Sequence, residues 1–434
     1  MNENIIEYLM NRHPKYEKVI FSLRQRLLSK IYMTGGYFAG KDKSLFFQKI
    51  IFVGFICKIF LFIIYKQRFF NEVKEKYRYK GLSWTYFNYD ELWTNSKNRI
   101  DRFFVFPVKK AKNIPWNFKL FVTFVKLEYE LKFRNFNYLS SPLFFDTVIN
   151  YQEKIYKYLD EHNYDYFLMP NDLDFHSRLI ITYAEKRNKP TFVIAHGGLP
   201  NLYDGVMDNL TTYVSMWGRK QVDGYLANSY PAKKFFTTGH PFYDQINVDL
   251  EFTLDNILVL TKSMNGVSPL KNIKIDDPGL CIQYLLSIQN VLSSIGIKKA
   301  RLRAHPSENA EWYKKFIDTD FFEFDYLDLK SSIASATLVI GPISTVFIDA
   351  IVNNKNYTVY EPVIDGKTIY GYPIQPPLDG IDERIPVARS EFDLKCILVN
   401  GRSINPSVVS EFVGTRFDRD SLFRILEKHD WAIK

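Results

Sequence analysis

The sequence predicts an α/β protein of two facing domains, each a parallel sheet covered by helices, behind a helical N-terminal extension. At 434 residues the chain is too long for one ordinary core. From about Phe144 onward, short apolar runs alternate with helical patterns, which is typical of a parallel sheet. The polar stretch from Asp249 to Asp255 divides this alternation into two series, and hence into two domains.

Residues 1–140 are expected to form a basic, aromatic and largely helical region before the first sheet domain. The apolar run at 45–65 approaches the length of a membrane span. Lys49 and Lys58 fall inside it, however, and a central lysine is costly in hydrocarbon. This run is therefore expected to be an interfacial or buried helix, with a true span as the alternative.

The first sheet domain is expected to cover residues 141–250. It begins with an amphipathic helix that ends near Leu159, and the buried strands that follow are read from their apolar runs. The expected strands are 164–169, 190–195, 212–217 and 234–238, with a helix at 177–186.

The second sheet domain is expected to cover residues 251–390. Residues 391–434 are expected to form one or two helices, after Asn405-Pro406, that pack back on the first domain. The expected strands of the second domain are 257–260, 300–303, 322–324, 337–340 and 357–360, with helices at 280–295, 310–316 and 345–352.

The positive charge is concentrated near the N-terminus. Residues 1–110 hold 21 Lys and Arg against 9 Asp and Glu, which leaves a net charge of about −3 in the rest of the chain. Basic side chains interleaved with Phe, Tyr and Ile are suited to an anionic membrane surface. The sequence has no recognised nucleic-acid motif, so a nucleic-acid partner is not expected.

Three cysteines, Cys57, Cys281 and Cys396, lie far apart in unrelated settings. They indicate neither a disulfide framework nor a metal site, and a reducing cytoplasm is the default compartment. The first residues lack the basic stretch and apolar core of a secretion signal. The expected location is therefore cytoplasmic and peripheral, on the inner face of the cell membrane.

Polar turns follow several strands of the second domain. His305-Pro306 follows the strand that carries Arg303, Ser344-Thr345 follows the strand at 337–340, and Glu361 follows the strand at 357–360. Ligands of open α/β sheets sit beyond the carboxyl ends of the strands. Ser344 and Thr345 would open a helix, where free N–H groups and the helix dipole favour a phosphate. Lys262 and Ser263, after the first strand of this domain, are further candidates for phosphate contact, and Arg303 and Glu361 are also expected to contact the ligand.

The run Arg303-Ala304-His305-Pro306, followed by the Ser344-Thr345 turn, resembles the donor-site signature of GT-B glycosyltransferases with cytidine-nucleotide donors. That superfamily includes bacterial sialyl- and polysialyltransferases, capsule Kdo transferases and CDP-glycerol glycerophosphotransferases. The resemblance implies two facing Rossmann-like domains, with the donor bound by the second. It places His305, Pro306, Ser344 and Thr345 on the nucleotide and its phosphate.

The first domain should supply the group that takes the acceptor's proton. His196, in the turn Ala195-His196-Gly197-Gly198, is the first candidate, by analogy with the His-Gly turn of the glycerophosphotransferases and because an imidazole titrates near neutrality. Its alternative role is to cap a tight turn. Sialyltransferases use a carboxylate in this domain, so Asp174 and Asp172 rank next, although an Asp near a turn commonly acts as a cap.

The resemblance implies transfer of a sugar or polyol phosphate from a CMP- or CDP-activated donor to a surface polysaccharide or lipid-linked acceptor. The sequence shows no metal-binding acidic pair, dinucleotide fingerprint or Walker loop, so neither a metal nor a cofactor is expected. Two alternatives stay open: a UDP-sugar transferase or 2-epimerase on the same fold, and a non-catalytic protein of polysaccharide assembly. Comparing the binding of CMP and UDP distinguishes the expected enzyme from the first alternative. The second is distinguished by His305→Ala and Ser344→Ala, which should abolish cellular polysaccharide if the protein is an enzyme and leave it unchanged if it is not.

Overall fold

The computed structural model describes residues 3–32, 52–54, 56–57, 77–84, 93, 98–102, 118–172, 174–194, 210–227, 231–241, 249–262, 279–306, 308–364, 367–368 and 376–428. In these residues the predicted architecture is confirmed. Two six-stranded sheets, each with all strands parallel and with helices packed against it, form two Rossmann-like domains.

The first sheet has the strand order β2-β1-β3-β4-β5-β6. Its strands β3 and β4 are buried along their full length, as expected of central strands that have helices on both faces. The elements of this half are α1 (Glu3–Arg12), α2 (Glu17–Tyr32), β1 (Tyr79–Ser83), β2 (Asn98–Arg102), α3 (Phe118–Phe133), α4 (Phe136–Leu139), α5 (Pro142–His162), β3 (Tyr166–Met169), α6 (Phe175–Glu185), β4 (Thr191–Ile194), β5 (Tyr213–Met216), α7 (Asp223–Ala227) and β6 (Phe235–Thr237).

The second sheet has the strand order β14-β11-β10-β7-β8-β9, and β12 and β13 form a separate antiparallel pair. The remaining elements are β7 (Ile257–Leu260), α8 (Gly279–Ser294), β8 (Ala300–Arg303), α9 (Ala310–Tyr313), β9 (Phe322–Phe324), α10 (Leu329–Ser335), β10 (Leu338–Gly341), α11 (Val346–Val352), β11 (Asn356–Tyr360), β12 (Val363–Ile364), β13 (Lys367–Thr368), β14 (Val387–Ala388), α12 (Glu391–Val399), α13 (Val409–Val413) and α14 (Ser421–Lys428).

The predicted boundary between residues 140 and 141 is wrong, because β1 and β2 already belong to the first sheet. β2 carries Arg99, Asp101 and Arg102, and it lies at the edge of the sheet, where charged side chains are tolerated. The apolar run that identifies a buried strand is therefore missing from the sequence. Helix α2 also belongs to the first domain, since Leu23 and Leu27 are fully buried in its core.

The predicted tail at 391–434 divides in two. α12 packs on the second domain, where Leu394 and Leu398 join its core, so this part does not return to the first domain. The return begins at the 3-10 turn Pro406–Val408 and ends in α14, whose Leu422 and Leu426 lie in a core with Tyr166 of β3.

The apolar run at 45–65 lies almost wholly outside the described residues, and only 52–54 and 56–57 are seen, in helical conformation. None of the helices in the described ranges is long and apolar enough to cross a bilayer.

Candidate functional site

The predicted donor-site residues lie at one edge of the second sheet. Strands β11, β10, β7 and β8 are consecutive neighbours, and Glu361, Ser344, Lys262 and His305 follow their carboxyl ends in that order. Because neighbouring strands are about 4.8 Å apart, these four strand ends span roughly 14 Å. The fold therefore brings together, across a ligand-sized distance, side chains that are separated by up to a hundred positions in the sequence.

The turn after β10 is held in place by β11. The phenol of Tyr357 donates to the carbonyl oxygen of Pro342 at 2.7 Å, and the Ile343 N–H donates to Glu361 Oε1 at 2.7 Å. A side chain at Gly341 would put its Cβ 2.3 Å from the Tyr357 oxygen, so this close approach requires glycine. These contacts fix the backbone that presents Ser344 and Thr345.

The hydroxyls of Ser344 and Thr345 make little use of the capping role open to them. The Thr345 side chain makes no capping hydrogen bond to α11, and Ser344 Oγ accepts from the Val346 N–H only at 3.4 Å. Thr345 is exposed and Ser344 is half-buried. Both hydroxyls are therefore accessible to a ligand at this turn.

Glu361 is the most unusual group of the site. It is only 3% exposed, and Oε2 is a buried oxygen for which the described structure provides no hydrogen-bond partner. Burial raises its pKa to about 7, against the opposing effects of the Lys262 charge and the Ile343 N–H. A buried acceptor without a donor is costly, and a hydroxyl from a ligand would satisfy it.

The turn that carries His305 is fixed by two side chains absent from the predicted site. The His305 N–H donates to Thr261 Oγ1 at 2.9 Å and to Glu308 Oε2 at 3.1 Å, and Tyr313 donates to Glu308 Oε1 at 3.0 Å. His305 is itself exposed, as is Pro306. Desolvation by the surrounding protein, and then the charge of Lys262, lower the pKa of the imidazole. Lys262 thus acts electrostatically on both His305 and Glu361.

Arg303 is directed into protein contacts. Its guanidinium donates to the Leu327 carbonyl oxygen and to Ser332 Oγ at 3.1 Å, and it lies 3.8 Å from Asp325 Oδ1. The adjacent strand β9 ends just before Asp325, so a carboxylate is within reach of the arginine without any ligand. These contacts give Arg303 a role in the packing of the sheet edge, and they do not support the expected contact with the nucleotide.

Asp172 and Asp174, the carboxylates predicted in the first domain, serve the local fold. Asp174 caps α6, accepting from the N–H groups of His176 at 2.9 Å and Ser177 at 3.0 Å and from Ser177 Oγ at 2.5 Å. Asp172 is fully buried and accepts from the Leu210 N–H at 2.8 Å. Both oxygens of Asp174 accept hydrogen bonds of the cap, and Asp172 is buried, so both carboxylates are held by the local fold. His196 and Ser263 lie outside the described residues.

A second polar cluster lies beside the cap of α6. Glu128, from α3, approaches Arg26 of α2 at 3.5 Å and His176 Nδ1 at 3.9 Å, and Tyr151 pairs with His176 Nε2 at 3.0 Å. Burial is the main cause of the raised pKa of Glu128. The positive charge of Arg26 opposes this rise, and the negative charge of Asp174, a smaller effect, adds to it. Sequence reasoning missed Glu128 because it lies in the stretch before 140, whose weak periodicity gives no position relative to the sheet.

Within the described ranges, no group of three or more His, Cys, Asp or Glu side chains is arranged to hold a metal ion. The candidate donor site therefore consists of the Ser344-Thr345 turn before α11, together with Lys262, His305 and Glu361.

Comparisons with solved structures find similarity in overall structure at low sequence identity. No family model matches the chain, and no curated protein matches it. Among solved structures it is similar to the lipopolysaccharide outer core galactosyltransferase WaaB in its apo form, at 8% identity and a TM-score of 0.46, covering 82% of this chain and 98% of that one. It is also similar to a glycosyltransferase from Rickettsia africae, at 12% identity and a TM-score of 0.45, covering 83% and 99%. A third is UDP-N-acetylglucosamine 2-epimerase from Rickettsia bellii, at 11% identity and a TM-score of 0.44, covering 81% and 96%. Likeness at this level gives no basis for assigning an activity or a substrate.

Proposed function

We propose that this chain is a glycosyltransferase that binds a nucleotide-activated sugar at the carboxyl edge of its second sheet. The observation that carries the proposal is the buried, unsatisfied Glu361 Oε2 at the same edge as Lys262 and the Ser344-Thr345 turn. A ligand that suits all three needs hydroxyl donors and a phosphate in one molecule. A nucleotide sugar combines both, and Glu361 would take a hydroxyl of its ribose or sugar.

The leaving phosphate would be stabilised by groups that the fold holds ready. The hydroxyls of Ser344 and Thr345 and the charges of Lys262 and His305 lie along the same edge, and the Val346 N–H has only a 3.4 Å contact with Ser344 Oγ. His305 is neutral in a larger fraction of molecules than an ordinary histidine, because its pKa is lowered. A bound phosphate would raise that pKa again and favour the charged form that stabilises the leaving group.

For the acceptor's proton, His196 stays a candidate on the sequence evidence. Glu128 joins it, because its side chain keeps 18% of its surface exposed beside the start of α6, whereas both oxygens of Asp174 accept cap hydrogen bonds and Asp172 is buried. A group whose pKa is raised towards neutrality is suited to general-base work. A nucleotide-release assay on Glu128→Gln and His196→Gln separates them, since the base variant should lose turnover while it still binds the donor.

The donor is proposed to be a CMP- or CDP-activated sugar or polyol, on the strength of the His305-Pro306 and Ser344-Thr345 resemblance alone. The acceptor is proposed to be a surface polysaccharide or a lipid-linked oligosaccharide. The basic, aromatic N-terminal region would hold the enzyme on the inner membrane face where such acceptors lie. Membrane association is tested by flotation with anionic vesicles, comparing the wild type with a variant in which Lys41, Lys43, Lys66 and Arg68 are neutralised. Deletion of residues 1–70 is not suitable for this test, because it would also remove α2 from the core of the first domain.

The proposal is tested by calorimetric titration of the full chain with CMP, CDP, UDP and GDP. We expect CMP or CDP to bind, and Ser344→Ala and His305→Gln each to weaken that binding by about ten- to hundredfold, the usual effect of losing a charge-assisted hydrogen bond. Ser410→Ala is the matched control, because Ser410 is an exposed serine on α13. If UDP binds and the other three nucleotides do not, the donor carries a uridine nucleotide. A chain that binds none of the four nucleotides, or binds them equally well in both variants, contradicts the proposal.

A further inference from the structure

A cavity of about 510 Å³ lies on the first domain and shares no residue with the proposed donor site. β6 is the terminal strand of the first sheet, so the cavity follows the free edge of that sheet. The segment at 219–226 bounds the cavity on one side and α14 on the other. Its volume is within the range of about 300–1,000 Å³ that is usual for small-ligand sites.

The floor of this edge cavity is apolar. The Phe235 ring stacks on Tyr225 at 5.3 Å, and the Phe236 ring meets Phe192 edge-on at 6.1 Å, so the two phenylalanines face opposite sides of the sheet. Both remain half-buried, and β6 is the terminal strand of the sheet as far as the described residues go. The apolar side chains that line the cavity are Val222, Leu226, Ala232, Phe235, Phe236 and Ile425.

The rim of the edge cavity is basic. Arg219, Arg424 and Lys428 line it, and all three are exposed. Arg424 is paired with Asp418. The neighbouring acid on α14, Glu427, is held by Arg78 at 2.7 Å, away from this rim. Asp223 lies near enough to Arg219, and Asp420 to Arg424, for their charges to interact, but the described residues that line the cavity include these three bases and no carboxylate.

We propose that the edge cavity binds an anionic amphiphile, with a hydrocarbon chain along the floor formed by β6 and α14 and a phosphate head between Arg219 and Lys428. Burial of methylene groups against the half-exposed phenylalanines supplies the hydrophobic part of the binding. The cationic rim supplies attraction for the head, as basic residues beside an apolar surface do at anionic lipid interfaces. A three-residue edge strand offers too few backbone groups to hold an added peptide strand, so a lipid-like ligand fits better.

The test uses the full chain and dodecyl phosphate, below its micelle concentration, in isothermal titration. We expect the wild type to bind dodecyl phosphate at least tenfold more tightly than either inorganic phosphate or dodecyl maltoside, because each of these has only half of the required chemistry. The double variant Arg219→Glu/Lys428→Glu should weaken dodecyl phosphate binding by tenfold or more. Lys298→Glu/Lys299→Glu is the matched control, since it makes the same charge change at two exposed lysines of the second domain and should bind as the wild type does.

Equal affinity of the two double variants for dodecyl phosphate overturns the proposal, as does equal affinity of the wild type for dodecyl maltoside. The urea-unfolding transition, measured on the same samples, reports whether the variants are folded, and both double variants are expected to unfold cooperatively as the wild type does. Sedimentation with phosphatidylglycerol vesicles then identifies the source of the ligand. Loss of vesicle binding in Arg219→Glu/Lys428→Glu points to a bilayer lipid, whereas retained vesicle binding with lost dodecyl phosphate binding points to a free lipid phosphate.

Discussion

At the scale of single residues, the ionisation of Glu361 is linked to folding, because its pKa differs between the folded and the unfolded protein. Its pKa is raised from 4.5 to about 7 by burial. The unfolded chain therefore releases this proton at lower pH than the folded protein does, so the folded state loses stability as pH rises from about 4.5 to above 7. The shift corresponds to roughly 3 kcal/mol, as expected for an isolated carboxylate that must ionise in a buried place.

We expect Glu361→Gln to remove that penalty. Gln can still accept the Ile343 N–H through its side-chain oxygen, but it carries no charge at any pH. Relative to the wild type, the variant should gain about 3 kcal/mol in free energy of unfolding between pH 4.5 and pH 8. Urea unfolding at a series of pH values measures this, with the exposed Glu323→Gln as the control. A difference between variant and wild type that does not change with pH would show that Glu361 ionises normally.

The residues of the donor edge were predictable from sequence only where the chain itself marks them. His305, Ser344 and Glu361 lie within three residues of the ends of β8, β10 and β11, which were predicted, so their position at the sheet edge could be inferred. Glu308 was not recognised, because its role depends on the folded turn that brings its carboxylate to the His305 N–H. Asp174 was chosen as a base although its place before α6 suits a cap equally well, and only its three accepted hydrogen bonds decide between the two roles.

At the scale of secondary-structure elements, α14 is the element that joins the C-terminal tail to the first sheet. Leu426 is 1% exposed and lies in a core with Tyr79 of β1 and Tyr166 of β3. Leu426→Ala should therefore cost roughly 2–5 kcal/mol in free energy of unfolding. Leu286→Ala on α8 is the control. Leu286 is 41% exposed, so its truncation should lower the free energy of unfolding by less than about 1 kcal/mol. Equal midpoints of chemical unfolding for the two variants would mean that α14 does not pack as described.

Strands β7 to β11 of the second domain were predicted to within one residue at each end, and β7 and β10 are apolar runs between polar turns. The two-residue strands β12, β13 and β14 were not predicted. In the first domain, β1 and β2 were missed because neither is an apolar run. Asp101 in β2 is buried, yet it is paired with Arg99 at 2.7 Å and accepts from Tyr164 at 3.0 Å. Tyr164 lies 63 residues further along the chain, so the contact that buries this carboxylate in the sheet leaves no signature in the sequence of the strand itself.

At the scale of the whole molecule, buried contacts connect the two domains at several points. Asn356, on β11, donates to the carbonyl oxygens of Leu250 at 3.0 Å and Glu251 at 2.8 Å and accepts from the Ile404 N–H at 3.0 Å. One buried amide thus ties the chain that enters the second domain to the chain that leaves it. The Phe347 ring of α11 also packs on Phe412 of α13 at 5.0 Å, so the cores of the two domains are continuous through the returning tail.

A network of four charged residues crosses from the first domain to the second. Lys220, after β5, lies 2.7 Å from Asp382, whose carboxylate also accepts from Arg384 at 2.8 and 2.9 Å. Arg384 in turn donates to Glu411 of α13 at 2.6 and 3.0 Å. The hydrogen bonds from Arg384, followed by those from Lys220, hold the pKa of Asp382 well below its usual value. This network therefore stabilises the joined domains above about pH 4, and its contribution is lost as pH falls through the lowered pKa of Asp382.

The strength of this interdomain network can be measured as a double-mutant cycle of Lys220→Met and Asp382→Asn. We expect a coupling free energy of about 1–3 kcal/mol at pH 7, because both side chains are largely shielded from water and Asp382 is fixed by a bidentate arginine. The Lys314 and Glu311 pair is the control, since it lies 2.8 Å apart on the exposed surface of one domain and should couple by about 0.5 kcal/mol or less. The free energy of unfolding by urea gives both values. If the Lys220 and Asp382 coupling is no larger than that of the exposed pair, then packing of the returning tail, rather than this network, holds the two domains together.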